Sequence, residues 1–325
     1  MNHKPLIVIT GAAGMIGSGV VRHLNDLGLS NLLLVDDLKT GSKWKNLIGK
    51  EFCDLISKHQ LFSWLEGKEK QVDAILHLGA CSDTLQTDGD YLLENNFHYT
   101  IKLCQWALKA DKRFIYASSA ATYGDGQLGF SDDESKLKIF RPLNLYGYSK
   151  HLVDLWMQRE EVLHRVVGLK YFNVFGPNEY HKDHMASMVF KMMHKAKQGP
   201  IELYKSTDSR YEDGGQMRDF IYVKDAVKIT CAFLLPSYRK VCGIFNVGRG
   251  EPITWNRLAT ALFKALKKEP QIRYIPMPSE LAAQYQQFTC AEMNKLKEQM
   301  AFIPTPIEEA VCEYVEKYLL RNERW

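Results

Sequence analysis

Leu6-Ile-Val-Ile-Thr10-Gly11-Ala-Ala-Gly14-Met-Ile-Gly17 begins as a short run of apolar, β-branched residues and ends in three glycines spaced three apart. The run reads as a parallel strand buried on both faces. Val20, Val21 and Leu24, ending at Gly28, continue it as an apolar helix pattern. Strand, glycine turn and helix in that order form a dinucleotide-binding unit. Gly11 suits the tight turn, Gly14 lets a pyrophosphate approach the backbone, and Gly17 permits close helix–strand packing. The helix N-terminus then offers free N–H groups and a positive dipole end to the phosphates.

Further strands follow at the spacing of αβ units. Asn31 to Val35 is the second, with Asp36-Asp37 at its end. A carboxylate there suits the adenosine ribose hydroxyls of NAD, whereas Lys39 and Lys43 suit the 2′-phosphate of NADP, so both cofactors remain open. Cys53-Asp54 closes a third short strand, and Asp54 is read either as an adenine contact or as a charge at a helix N-terminus. Val72 to Ala80 ends in Gly79-Ala80-Cys81-Ser82, where the middle of a dinucleotide should pass. A long helix from about Asp88 to Ala110 carries Asn95 and Asn96. Phe114 to Ser119 and Val166 to Tyr171 complete the set.

The expected fold is α/β, a Rossmann-type doubly wound parallel sheet with a smaller mixed α/β substrate-binding domain. The first domain is expected over about 1–172 plus about 217–245, and the second over about 173–216 and 246–325. In the second, Met185 to Lys197 reads as a helix and Ile201 to Tyr204 as a strand. Lys205 to Gln216 reads as a polar loop, and Ile307–Leu320 as a closing amphipathic helix.

Leu143-Asn-Leu-Tyr146-Gly-Tyr-Ser-Lys150 supplies candidate chemistry. Residues at i and i+4 share a helix face, so the Lys150 ammonium is expected near the Tyr146 ring, favouring phenolate over phenol. Tyr148 has no lysine at that spacing. Ser119, at the carboxyl end of a strand, is expected to face the same cleft. A serine there is more often a turn residue; beside the Tyr/Lys helix a substrate role is the better reading. The polar run Asn178 to His184 is too polar for core and is read as lining a site.

The 325 residues carry a net charge of +4 with both signs interspersed, which argues against nucleic acid and against a solvated charged tail. Cys53, Cys81, Cys104, Cys231, Cys242, Cys290 and Cys312 are odd in number and never spaced CxxC. That pattern fits neither a disulfide framework nor a zinc site, so no metal is expected, and it suits a reducing cytoplasm. The N-terminal apolar run is cut by glycines and reads as a strand rather than a signal peptide, and no apolar run is long enough to span a membrane.

Gly-x-x-Gly-x-x-Gly after the first strand, Ser-Ser-Ala-Ala-Thr-Tyr-Gly, Tyr-x-x-x-Lys and Arg218-Asp-Phe-Ile-Tyr-Val-Lys-Asp225 together resemble the extended short-chain dehydrogenase/reductases along the whole chain. Gly79-Ala80-Cys81-Ser82, Ala117 to Gly124, Tyr171 to Pro177, and His181-Lys182 with Met185-Ala186-Ser187 are similar to the ADP-heptose 6-epimerase branch, which serves lipopolysaccharide inner-core synthesis. The resemblance implies a cytoplasmic nucleotide-sugar epimerase that oxidises a carbinol to a ketone and returns the hydride to the other face. It also implies one NADP per subunit, NAD being the alternative, and a homo-oligomer. By matching, Tyr146 is the catalytic acid/base, Lys150 its cofactor-binding partner, Ser119 a substrate donor, and Lys182 a second acid/base across the sugar. The same matching puts Met15, Ile16, Asp36, Asp37, Lys43, Lys58, Leu78 through Ser82, Asn95, Val174 and Lys182 on the cofactor. It puts Asn173, His184, Lys191, Tyr204, Lys205, Ser206, Thr207, Arg218 and Tyr285 on the substrate.

The chain departs from the branch at several of these positions. Asp37 stands where asparagine occurs, Leu78 where glutamate occurs and Lys191 where histidine occurs. Asp183-His184 replaces Gly-Ser, and the loop Lys205–Gln216 looks longer. The rivals are a 4-epimerase or another oxidoreductase of the same family, a dehydratase, and a non-catalytic dinucleotide-binding protein. Ala120-Ala121-Thr122 lacks the carboxylate pair of the dehydratases, and both Tyr146 and Lys150 are present, which disfavours the last.

Overall fold

The structure is a computed structural model that describes residues 5–279 and 285–325. β1 (Leu6–Thr10), β2 (Leu32–Asp36), β3 (Asp54–Ser57), β4 (Val72–His77), β5 (Arg113–Ser119) and β6 (Val166–Tyr171) join β11 (Gly243–Val247) in one seven-stranded sheet. The order is β11-β6-β5-β4-β1-β2-β3 and every pairing is parallel. This is the doubly wound Rossmann-type sheet, and its direction of winding reverses between β1 and β4. A crevice opens at that reversal, outside the carboxyl ends of the strands.

Alternation along each strand divides the apolar residues between two layers. Ile7, Ile9, Leu32, Leu34 and Leu76 face the layer that contains the Met15–Asp26 helix; Leu6, Val8, Leu33, Val35 and Ile75 face the other. Burying each such side chain contributes about 1.5–3 kcal/mol. The first layer runs on without a break into the Met188–Gln198, Trp255–Ala265 and Ile307–Glu313 helices. These helices pack with three small sheets: β7 (Asn173–Phe175) beside β10 (Phe220–Tyr222), β8 (Ile201–Tyr204) beside β13 (Ile272–Ile275), and β9 (Met217–Arg218) antiparallel to β12 (Ile253–Thr254).

Two local expectations change. Asp54 opens β3 instead of closing a strand, pairing opposite Leu33 at the end of the sheet away from the crevice. Its exposed carboxylate accepts the Leu55 N–H, so it is neither an adenine contact nor a helix-terminal charge. The periodic stretch from Asp88 to Ala110 is a continuous helical run, but Leu93–His98 within it is a π-turn between the α-segments Gly89–Leu92 and Tyr99–Lys109. The π-turn carries Asn96, which is fully buried. Its side chain bonds the N–H and C=O of Cys81 and the Ser149 hydroxyl, tying the cleft loop to the Leu145–Arg159 helix.

All seven cysteines are free. Among the described residues no helix is long and apolar enough to cross a membrane.

Candidate active site

A cleft of about 780 Å³ opens at the reversal and receives walls from both halves of the chain. Its floor is the glycine turn. Gly11 has φ of +66°, and a Cβ there would lie 2.7 Å from the Gly79 Cα, so the ends of β1 and β4 come together only through two glycines. Gly14 is the N-cap of the Met15–Asp26 helix and caps it with no side chain, leaving the first-turn N–H groups to a ligand. Replacing Gly17 by Ala would set a methyl group on the Gly11 carbonyl oxygen and 2.9 Å from the Ala12 Cα. Both neighbours are backbone, so the turn must shift, at about 1–3 kcal/mol. Gly17→Ala should lower the melting temperature and lose dinucleotide on gel filtration; an unchanged melting temperature with retained cofactor would refute this account.

At one end of the cleft, the Asp36 carboxylate accepts the Ala13 N–H at 2.7 Å and the Lys43 ammonium at 2.6 Å. Asp37 and Lys39 share that rim, and Lys58 donates to Asn95 at 2.7 Å. Behind the floor, His77 bonds Thr10 through Nδ1 at 2.6 Å and Thr100 through Nε2 at 2.9 Å. Burial, reinforced by the Lys150 charge, drives its imidazole down to about 3, so it sits there neutral.

Tyr146, Lys150 and Ser119 meet at the other end. Asn144 caps the Leu145–Arg159 helix by accepting the Gly147 N–H, which presents Tyr146 in the first turn. The expected lowering of Tyr146 by Lys150 does not appear in this geometry. The Lys150 ammonium donates to the Ala117 carbonyl at 2.8 Å, and Ser119 is the side chain that acts on Tyr146. Burial raises Tyr146 above the usual phenol range, Ser119 opposing it, so the tyrosine holds its proton. Burial likewise pulls the Lys150 ammonium down to about 8, against the Asp154 carboxylate.

Lys182 also lines the cleft, from the 3-10 turn Tyr180–Met185. Burial lowers its ammonium below the usual range and the Glu179 carboxylate raises it. Glu179 is itself fully buried and anchors the turn, accepting the Ser187 and Tyr314 hydroxyls at 2.7 and 2.9 Å.

Of the residues singled out in the sequence, Gly11, Gly14, Met15, Ile16, Gly17, Asp36, Asp37, Lys43, Lys58, Leu78 through Ser82, Asn95, Ser119, Tyr146, Lys150, Asn173, Val174 and Lys182 line this one cleft. Others lie outside its wall. His184 is exposed and pairs with Asp83 at 3.3 Å, and Lys191 donates to the His184 carbonyl. Tyr204 ends β8, the Lys205 carbonyl accepts from Gln216, Ser206 bonds Asp208 and Asp213, and Thr207 accepts from Gln287. Arg218 and Tyr285 form a stack next to the cleft. The guanidinium lies 4.9 Å from the Tyr285 ring, and Tyr285 accepts from Trp255, a wall residue. Trp255 and His181 also line the cleft. Trp255 carried no sequence signal, because a lone tryptophan before a helix is ordinarily core.

The model of the NAD dependent epimerase/dehydratase family matches residues 7–248, from β1 to the end of β11. The chain belongs to that family. Similarity within it extends over nearly the whole length. An ADP-L-glycero-D-manno-heptose-6-epimerase of Nitratidesulfovibrio vulgaris is 46% identical over 318 residues, which is 97% of this chain and 98% of the relative. The crystal structure of the Helicobacter pylori ADP-L-glycero-D-manno-heptose-6-epimerase superposes with a TM-score of 0.79 at 26% identity, covering 97% and 96% of the two chains. A UDP-N-acetylglucosamine 4-epimerase from Methanobrevibacter ruminantium superposes with 0.80 at 26% identity, covering 99% and 100%.

A nicotinamide dinucleotide is the cofactor of this epimerase family, and the cleft fits one. Its uncapped helix N-terminus would suit a pyrophosphate, and the Asp36–Lys43 end would suit an adenosine ribose.

Proposed function

We propose that the chain is a nucleotide-sugar epimerase that inverts C6 of ADP-D-glycero-D-manno-heptose to the L-glycero form, for lipopolysaccharide inner-core synthesis. The observation that carries this is a cleft with a dinucleotide floor whose lining includes two proton-handling groups from separate segments, Tyr146 and Lys182. Bound NADP supplies the hydride acceptor and donor for the carbinol carbon. Tyr146 Oη moves the hydroxyl proton in one orientation of the sugar, with Ser119 beside it. Lys182 Nζ does so in the other, and its burial makes a neutral amine accessible. Lys150 holds the cofactor beside them.

NADP is preferred because Lys43 already pairs with Asp36, offsetting the carboxylate that would repel a 2′-phosphate, while Lys39 and Lys58 add positive charge at the rim. Lys43→Ala should weaken NADP binding about tenfold and NAD binding less. Calorimetry with both dinucleotides checks this, and equal losses would count against a 2′-phosphate role.

The division into a cofactor domain of about 1–172 with 217–245 and a substrate domain of about 173–216 with 246–325 is part of this reading. It is supported by Val223–Ala232 packing on Met15–Asp26 and by β11 pairing with β6. Leu145 and Tyr148, exposed in the first turn of the Leu145–Arg159 helix, support a homo-oligomer, which sedimentation would measure. The seven free thiols support a cytoplasmic setting.

The deciding experiment incubates purified protein with ADP-D-glycero-D-manno-heptose and no added cofactor, following the epimer by NMR. Conversion establishes the reaction and a recycled cofactor. No conversion, with NADP or NAD added, rejects the heptose and leads to UDP-, GDP- and CDP-sugars.

A further inference from the structure

Two turns beyond Tyr146 and one beyond Lys150, the same helix carries Asp154, whose carboxylate is wholly buried. It gathers side chains from the two strands beneath. Tyr116 donates to it at 2.9 Å and Ser118 at 2.7 Å, both from β5, and the Lys170 ammonium of β6 at 2.6 Å. Lys170 is equally buried and donates also to Thr122, whose hydroxyl in turn bonds the Ser119 carbonyl.

The end of β5 is therefore tied at three consecutive residues. Lys150 holds the Ala117 carbonyl, Asp154 the Ser118 hydroxyl, and Thr122 the Ser119 carbonyl. Ser119 lies beside Tyr146 and lowers it against its burial, so this tether fixes a neighbour of the tyrosine. The charges agree with that geometry. Lys150 and Lys170 are two cations in a dry interior, and a lone buried ammonium sheds its proton.

Among the groups around Lys150, Asp154 raises it most and Cys81, in the loop after β4, raises it less. From β4, His77 is neutral, driven down to about 3. From β5, Tyr116 is held protonated, raised well above the usual range by burial and then by Asp154. Tyr146 is protonated on its own helix, where burial also lowers His151.

We propose that Asp154 is a positioning residue of this site, the buried anion shared by Lys150 and Lys170 that keeps Lys150 an ammonium and fixes the Ala117–Ser119 strand end. The proposal rests on the roles given above to Tyr146, Lys150 and Ser119, but not on which sugar is the substrate. Asp154 touches no reacting atom; it acts through Lys150 and Ser118.

The test is the titration of Lys150 itself, followed by NMR of protein carrying ¹³C-labelled lysine, with its signal assigned by Lys150→Arg. Asp154→Asn should move the Lys150 midpoint down by about one pH unit or more, because removal of a nearby opposite charge has that size of effect. Asp154→Asn leaves Lys170 buried without its anion, so Asp154→Asn/Lys170→Met, which removes both charges, serves as the variant least prone to unfold. Its midpoint should fall as well, whereas Lys170→Met alone, which leaves the anion, should not lower it.

A second readout is NADP affinity against pH. In the double variant it should match the wild type near pH 6 and fall about fivefold below it near pH 8, because a midpoint one unit below the wild-type value of about 8 leaves about one eleventh of Lys150 protonated there instead of about one half. An unmoved midpoint in the double variant, or an equal fall in Lys170→Met, would overturn the proposal. Because neither readout uses a sugar, failure of the heptose assay would leave this result standing.

Discussion

Tyr146→Phe should lower epimerisation by about 10²–10⁴-fold, the range for loss of a positioned acid/base. The ring keeps its packing in the cleft wall, and the Lys150 bond to Ala117 does not involve the phenol, so folding and cofactor retention should persist. What is removed is one oxygen, the phenol beside Ser119. The loss should fall on the half-reaction of one epimer. With the wild type, either epimer should generate reduced nicotinamide in a single turnover; with Tyr146→Phe, only one should. Full activity, or equal loss in both half-reactions with cofactor still bound, would remove Tyr146 from the assigned role.

Lys182→Met should match that loss in size, again about 10²–10⁴-fold, with the surviving half-reaction reversed. Methionine keeps most of the buried stem and discards only the ammonium, so the Tyr180–Met185 turn stays anchored through Glu179. The two-sided mechanism predicts complementary variants, each able to exchange hydride with the epimer that the other cannot use. If both variants block the same epimer, one group alone handles the proton and Lys182 serves binding. The pH dependence is an independent check. Burial lowers the Lys182 ammonium, so a neutral amine appears at lower pH than for a solvated lysine. The limb of the rate profile that rises with Lys182 deprotonation should therefore lie below the ordinary lysine range and disappear in Lys182→Met.

Both experiments act on residues that the primary sequence already marked, and the manner of marking explains what it left out. Leu6 to Gly17 specified strand, turn and helix because each signal is local: continuous apolar residues, a glycine able to take positive φ, and a 3.6-residue period afterwards. Tyr146 and Lys150 likewise sit four apart on one helix, and the parallel αβ repeat prescribes a crevice at the strand ends. Asp54 misled because a strand's start and finish look alike in sequence. Only pairing with Leu33 shows which end it occupies.

The charge states lay beyond the sequence for a deeper reason. Spacing alone suggested that Lys150 lowers Tyr146, but the pKa of an ionisable group reflects desolvation by every atom packed around it, and those atoms come from distant segments. Burial outweighs the lysine at Tyr146, and it brings Lys150 itself down to about 8. The Asp154–Lys170 pair, 16 residues apart and joined across helix and strand, exists only once β5, β6 and the Leu145–Arg159 helix are stacked. The sequence by itself determined the parallel sheet and the dinucleotide turn by local pattern, and it set Tyr146 and Lys150 on one helix face by their spacing. The tertiary structure decided their protonation and their partners, because dielectric surroundings and hydrogen-bond geometry belong to the packed interior and not to any stretch of chain.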